Sequence, residues 1–251
     1  MDLIKNLNIF ENFVKENYDM KNPLIVTKYI HTLMVVRIMC MICDKMGLSE
    51  KDMELATYIA LFHDLGRFKE VVRQKSFNNL KFDHGCYSNK ILFNDKFINN
   101  FDINEEDYLL IRKAIYYHNK KDLGNDLTER EEFFCRLIRD ADRIDIFRVL
   151  SFNENLFEGI SDSSLISTFY SNGSIDIKDL KTRGDRVLLR FGFIKLFSFP
   201  ESFKVLNEIG YFDKYVKSIK VLDNVKELFE ELVKEIKKML EGEKNYVRKK
   251  V

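Results

Sequence analysis

Six residues of this chain carry side chains that commonly bind transition metals, and each falls at a helix position that faces the predicted core or a helix end. They are His31, His63, Asp64, His84, His118 and Asp142. His63 and Asp64 are adjacent at the end of an apolar stretch, LATYIALFHDLGRFKE, so an imidazole nitrogen and a carboxylate can face one cation. Taken singly, each residue also fits a core or helix-capping role. Together they favour a shared metal site, because a buried carboxylate such as Asp142 is costly unless it is paired or coordinates a cation.

The elements that position the first three of these residues read as helices. Asn22-Pro23 begins a helix that runs to about Gly47, and an apolar stripe at spacings of three and four turns His31 toward the core. The following helix ends at His63-Asp64 and is broken by Gly66. The sequence therefore places an imidazole of one helix near the dyad at the end of the next.

Further helices carry the other candidate ligands. Asp83 caps a helix with His84 in its first turn, and residues 104–118 form a helix that ends at the fourth histidine. A capping box at Thr128 begins a long helix through about Leu150, which carries Asp142 on its apolar face. All six ligands thus fall within one series of helices.

The rest of the chain also reads as helical after a polar, loop-rich region at residues 152–182. Helices resume near Arg186, and the last three are predicted at residues 200–209, 211–220 and 224–240. No segment shows convincing strand alternation. The sequence predicts an all-α fold, with a metal-binding catalytic domain at residues 1–150 and a helical extension at residues 151–251 that packs on it.

Composition limits the functions that remain. The chain has 251 residues and a formal net charge of +1, so the bulk charge gives no strong signal for nucleic acid or an acidic membrane. No secretory signal and no uninterrupted apolar run of about eighteen residues is present, which predicts a soluble, cytoplasmic protein without a membrane partner. The sequence leaves the oligomeric state open.

Four cysteines, Cys40, Cys43, Cys86 and Cys135, fit a reducing compartment better than a disulfide scaffold. Cys40 and Cys43 form a CxxC motif, but it lies inside an apolar helix and has no second cysteine pair. Buried small side chains are therefore expected there, in preference to a zinc or redox site.

In order and spacing the six ligands resemble the HD-domain superfamily of metal-dependent phosphohydrolases, whose pattern is a histidine, an HD dyad and a downstream aspartate. His31, His63-Asp64 and Asp142 in RDADRID match that pattern, and the resemblance spans roughly residues 25–150. His84 in DHG and His118 in YYHN match the two extra histidines of the dinuclear branches. The resemblance implies an HD-type helical bundle with additional C-terminal helices, and hydrolysis of a phosphoester or phosphoanhydride.

The resemblance also implies which residues hold which ion. A first divalent ion would be held by His31, His63, Asp64 and Asp142, and a second by Asp64, His84 and His118. Imidazole and carboxylate ligands suit Fe, Mn, Co, Ni or Zn better than Mg or Ca. The expected substrate is a nucleotide or a similar small phosphorylated molecule.

Two residues beside the ligands are predicted to be catalytic together with Asp64. Arg67 follows the dyad by three residues and can clamp a phosphate, although a salt bridge with Glu70 is the alternative. Asp145 lies one turn after Asp142 and can orient a ligand histidine or the water, although a salt bridge with Arg148 or Arg139 is the alternative. Other polar residues that can support the site or reach the substrate are Asp83, Lys120, Lys121, Arg186 and Arg190.

The sequence bears on three alternative functions. The cyclic-dinucleotide branch carries a GYP signature after its histidines, whereas this chain reads NKKDLGNDLTER after His118, which argues against that substrate. A di-iron oxygenase of the same fold and a metal- or nucleotide-binding sensor without turnover stay open. A sensor usually lacks one of the ligands, and this chain has all six.

Overall fold

The structure is a computed structural model that describes residues 2–74 and 82–242, and most of these residues are helical. The predicted all-α fold class is confirmed. In chain order the helices and strands are α1 (Leu3–Asn17), α2 (Pro23–Met46), α3 (Glu50–Phe62), α4 (Leu65–Gln74), α5 (His84–Asn89), α6 (Tyr108–Tyr117), α7 (Glu129–Leu150), β1 (Asn155–Phe157), α8 (Ser163–Ser171), α9 (Arg183–Lys195), α10 (Pro200–Ile209), α11 (Tyr211–Lys217), β2 (Ile219–Val221) and α12 (Lys226–Leu240).

The chain divides into two compact units, which we call unit 1 (residues 1–141) and unit 2 (residues 142–251). The division falls inside α7, whereas the sequence analysis places a boundary after the end of that helix. The functions predicted for the two domains stay predictions.

In unit 1, α2 packs on α3 and α4, and α5 packs on α4 and α6. Local chemistry sets the helix ends: the Asn22 side chain accepts a hydrogen bond from the Leu24 backbone N–H, with Pro23 at the first helical position. At the other end of α2, Gly47 adopts a left-handed conformation with φ 65°, which glycine tolerates best. These limits agree with the predicted helix.

Gly66 does not break a helix, as the sequence analysis expected, but lies inside α4. The break comes earlier, at His63 and Asp64, which form the turn between α3 and α4. A Cβ atom at Gly66 would lie 2.3 Å from the His84 carbonyl oxygen, so only glycine allows α4 to approach α5 this closely. Glycine is therefore needed here for close packing of the dyad against His84.

In unit 2, β1 and β2 pair in parallel, with Asn155 opposite Ile219, and α9 packs on β1. The sequence analysis predicted neither strand, and its helix at residues 211–220 ends at Lys217 because Ile219–Val221 joins this pair. It also assigned α8 to a loop. Serine and threonine are weak helix formers, and α8 is held by burial of Leu165 and Phe169, which local sequence does not reveal.

Helix α2 is long and apolar enough to cross a membrane by length and composition alone. Its buried residues include Val35, Ile38, Met39 and Ile42, all of which are at most 2% exposed. Of the 18-residue window that meets this criterion, 44% is buried inside the protein.

Candidate metal centre

Five of the six predicted ligands lie together in unit 1, and all five are buried. His31 is on α2, His63 and Asp64 form the turn after α3, His84 is the first residue of α5, and His118 directly follows α6. The packing of α2, α3, α5 and α6 thus brings residues up to 87 positions apart to one point (118 − 31 = 87). That point is the Asp64 carboxylate.

The two oxygens of Asp64 face different pairs of imidazoles. Asp64 Oδ2 lies 3.6 Å from Nε2 of His31 and 3.6 Å from Nε2 of His63. Asp64 Oδ1 lies 3.6 Å from Nε2 of His84 and 3.5 Å from Nε2 of His118. One carboxylate therefore stands between two imidazole pairs.

Backbone carbonyls fix the orientation of two of these imidazoles. His63 Nδ1 lies 2.7 Å from the Ala60 carbonyl oxygen, and His118 Nδ1 lies 2.6 Å from the Ile115 carbonyl oxygen. A carbonyl only accepts hydrogen bonds, so Nδ1 carries the proton in the neutral ring and Nε2 presents a lone pair. Lone pairs of His63 and His118 thus point toward carboxylate oxygens, an arrangement that a cation between them would stabilise. These donors fit a divalent transition metal.

His84 is held by linked polar side chains, only some of which the sequence identifies as candidates. Its Nε2 lies 3.1 Å from His118 Nε2, and its Nδ1 lies 3.3 Å from the side-chain amide nitrogen of Asn119. That amide also donates to Asp83 Oδ1 at 3.2 Å, and Lys120 forms an ion pair with Asp83. Asp83 caps α5 as predicted, through Oδ1 and the Cys86 backbone N–H. The position of Asn119 directly after His118 is the sequence signal that could have identified it as a residue of this site.

The pKa values of Asp83 and His84 are both lowered. Burial raises the pKa of Asp83, but hydrogen bonds from Lys120, Cys86 and Asn119 outweigh it and hold the pKa below its ordinary value. Burial lowers the pKa of His84 well below its ordinary value, against the attraction of Asp64. His84 is therefore neutral at physiological pH, as a metal ligand must be.

Two cations contact Asp64, one at each oxygen. Lys28 Nζ lies 2.7 Å from Oδ2, and Arg67 Nε lies 3.7 Å from Oδ1. Burial raises the pKa of Asp64, but the positive charge of Lys28 and the facing imidazoles of His63, His118 and His84 outweigh it, so the pKa stays well below its ordinary value. The sequence analysis missed Lys28, although it lies three residues before His31 and therefore on the same helix face.

Arg67 forms the salt bridge with Glu70 that was the predicted alternative, and it also lies beside Asp64; its catalytic role stays a prediction. Its Nη1 donates to Glu70 Oε2 at 2.6 Å, which is the predicted salt bridge. Its Nε lies 3.7 Å from Asp64 Oδ1. Glu70 is fully buried, so this ion pair is not an exposed surface contact. The guanidinium is anchored beside the dyad.

The two predicted aspartates of the RDADRID segment lie in unit 2, on α7. Asp142 is the first residue of unit 2 and is half-buried, and its role as a ligand stays a prediction from the sequence. Asp145 is fully buried and accepts hydrogen bonds from Arg148 Nε at 2.6 Å and Nη2 at 2.8 Å. This contact is the predicted alternative, a salt bridge, and the catalytic role of Asp145 stays untested.

The four cysteines are free. Cys43 is buried, and burial raises the pKa of its thiol to about 12. Cys40 Sγ lies 3.6 Å from Thr57 Oγ1. Among the described residues neither cysteine belongs to a group of potential metal ligands, in agreement with the predicted packing role.

Comparison with protein families gives one match, to the model described as HD domain, over residues 29–146. The matched segment contains all six predicted ligands together with Arg67 and Asp145. Neither the comparison with curated proteins nor that with solved structures gives a match.

Proposed function

Because residues 29–146 make this chain a member of the HD-domain superfamily, we propose that it is a metal-dependent phosphohydrolase. Its substrate is a nucleotide or a similar small phosphorylated molecule, and the bond cleaved is a phosphoester or phosphoanhydride. The superfamily is of the metal-dependent hydrolase type, and the donor set described above supports such a site here.

One observation carries the proposal: the two oxygens of Asp64 each face a separate pair of imidazole nitrogens. A single ion held at one oxygen would leave the imidazole pair at the other oxygen without a cation. Two ions would use both oxygens, with Asp64 as the shared ligand. His31 and His63 would hold the first ion, and His84 and His118 would hold the second; Asp142 as a further ligand stays a prediction from the sequence. The suitable ions are Fe, Mn, Co, Ni and Zn.

Such ions supply a water molecule of lowered pKa and offset the charge of the attacked phosphoryl group. The protein's own residues orient the reactants. Backbone carbonyls hold the rings of His63 and His118 in place, and Asn119 supports His84 from the opposite side. Arg67, anchored on Glu70, presents a permanent charge to a phosphoryl oxygen. A catalytic role for Asp145 stays a prediction from the sequence.

Purified protein without a chelating tag, stripped of metal and reloaded with Mn²⁺, Fe²⁺, Co²⁺, Ni²⁺ or Zn²⁺ in turn, tests the proposal against a panel of nucleotides and phosphoesters. We expect phosphate release that depends on added metal and is absent from the Asp64→Asn variant. Oxygen consumption with iron, without phosphate release under any metal, would support an oxygenase. Metal binding without turnover of any kind would support a sensor.

Arg67 needs a conservative variant, because Arg67→Ala would leave the buried Glu70 carboxylate without its 2.6 Å partner and destabilise the fold. Arg67→Lys keeps a positive charge near Glu70 but lacks the planar fork that binds a phosphate through two hydrogen bonds. We expect its kcat/KM to fall roughly 10–100-fold at full metal occupancy, with the melting temperature nearly unchanged. An unchanged kcat/KM would assign Arg67 to the salt bridge alone.

A further inference from the structure

Lys28 contacts Asp64 of the dyad, although the HD pattern does not include this lysine. It lies on α2, one turn before His31, and its Nζ contacts Asp64 Oδ2 at 2.7 Å. The side chain is 15% exposed, so it is largely buried. A lysine in this environment requires negative charge close to it.

The oxygen that Lys28 contacts is the same oxygen that faces His31 and His63. A divalent ion held by these two imidazoles and Oδ2 would stand beside the ammonium group, and the two positive charges repel each other. Occupation of this side of Asp64 therefore moves Lys28 Nζ away from Oδ2. Because the side chain is fixed to α2 one turn from a ligand, the ammonium group stays within a few ångströms of the site.

The second cation of the site is in a different position. Arg67 contacts Asp64 Oδ1 only at 3.7 Å and keeps Glu70 at 2.6 Å as a strong partner whether or not a metal binds. Lys28, in contrast, contacts Asp64 directly, with Nζ 2.7 Å from Oδ2. A divalent ion at Oδ2 would disturb the 2.7 Å contact of Lys28, and it would add positive charge that an anionic ligand would offset.

We propose that Lys28 is a substrate-binding residue, whose ammonium group donates to a phosphoryl oxygen when the site holds metal. This inference rests on the proposed function, since it requires metal and a phosphorylated ligand at Asp64. The chemistry suits the role, because lysine offers three donors on a flexible stem and binds phosphate as a point charge. In the metal-free protein the same group serves as the counter-ion of Asp64.

Calorimetric titrations with Mn²⁺, followed by inorganic phosphate on the Mn²⁺-loaded protein, separate the two roles. We expect Lys28→Met to bind Mn²⁺ as tightly as the wild type or more tightly, because a competing cation is removed. We expect its phosphate Kd to rise roughly 10–100-fold, the effect of losing a hydrogen bond to a charged group. Lys28→Arg should recover part of the phosphate affinity.

Lys45→Met is the matched control, since Lys45 is exposed on the same helix and lies roughly 25 Å along its axis from Lys28. It removes the same charge and should leave both affinities at wild-type values. If Lys28→Met does not fold, Lys28→Gln is measured in its place.

Unchanged phosphate affinity in the Lys28 variant would overturn the inference, as would a loss of Mn²⁺ binding, which would make Lys28 a support for the carboxylate alone. Failure of the wild type to bind Mn²⁺ would instead remove the proposed function itself.

Discussion

Two buried aspartates, Asp64 in unit 1 and Asp185 in unit 2, show how differently a protein can stabilise a carboxylate. Asp185 accepts hydrogen bonds from the backbone N–H groups of Ser161, Lys181 and Thr182, each at 2.8 Å, and from the Ser161 hydroxyl at 2.7 Å. It also completes the capping box at the start of α9. Asp64 is surrounded by imidazole nitrogens and two cationic side chains instead.

The difference lies in the chemistry of the partners. Both carboxylates are almost inaccessible to solvent, and the pKa of each is lowered. Backbone donors satisfy Asp185 within its own unit, which leaves nothing for a ligand to add. At least two of the nitrogens that face Asp64 carry lone pairs, so the group around Asp64 gains from a cation. Burial of a charge therefore does not mark a functional site, whereas a buried carboxylate that faces lone-pair donors does.

The largest effect is expected for Asp64→Asn. The amide cannot bridge two cations, so metal affinity should be lost and turnover should fall at least about 10³-fold, equivalent to roughly 4 kcal/mol. Metal analysis and steady-state kinetics measure both. Retention of bound metal and activity by a folded Asp64→Asn protein would remove the distinction between the two aspartates.

Asp185→Asn should have the opposite profile. The amide NH₂ would face backbone donors, so the free energy of unfolding should fall by about 3 kcal/mol, while metal affinity is unchanged.

Burial raises the pKa of Asp185, but the backbone N–H donors outweigh it and lower the pKa to about 2. Since the folded pKa is lowered, this stabilisation is complete above the unfolded value near 4 and is lost as the pH falls toward 2. Urea unfolding from pH 6 to pH 2 should show the wild type and the variant converging; a constant difference would contradict this account.

Gly66→Ala tests the close approach of α4 and α5. The new Cβ would lie 2.3 Å from the His84 carbonyl oxygen, so α5 must shift and carry His84 with it. We expect the free energy of unfolding to fall by about 1–3 kcal/mol and Mn²⁺ affinity to fall as well. Gly210→Ala, at a helix end with φ 66° and open space around it, is the control. It should reduce stability without changing Mn²⁺ affinity.

The smallest effect concerns the protonation of His84. Burial, together with the charges of Arg67, His118 and Lys28, lowers its pKa against the attraction of Asp64. In metal-free protein its ring should remain neutral at pH 6.0, where an exposed histidine is roughly three-quarters protonated. Below pH 6.5 the unfolded chain takes up a proton that folded His84 does not, so the free energy of unfolding falls, by under about 1 kcal/mol at pH 6.0. NMR titration of the ring carbons would reveal an ordinary pKa near 6.5 if this is wrong.

The sequence predicted most of the fold because its helix ends carry local signals. Asn22-Pro23, Asp83 and Thr128 all cap helices in the structure. It missed α8 and the pair β1–β2, which depend on burial and on pairing between segments 64 residues apart (219 − 155 = 64). Gly66 was predicted to break a helix, because the local sequence does not reveal its close tertiary contact with His84.

For the candidate site, residue types and helix positions were enough to name the four candidate ligand histidines, which the structure brings around Asp64. Lys28, Glu70 and Asn119 were not named in this role. Their contacts depend on how α2, α4 and α6 cross, and lysine, glutamate and asparagine are common on exposed helix faces. The HD pattern identifies a site residue only where the pattern itself specifies that residue.

The location of bound metal tests the proposed function most directly. An anomalous-difference map from crystals grown with Mn²⁺ should show two peaks at Asp64, one on the side of His31 and His63 and the other on the side of His84 and His118. In the same crystals Lys28 Nζ should no longer contact Oδ2. A single peak would leave a mononuclear site, and a map without a peak at Asp64, with Lys28 still at 2.7 Å from Oδ2, would contradict the account.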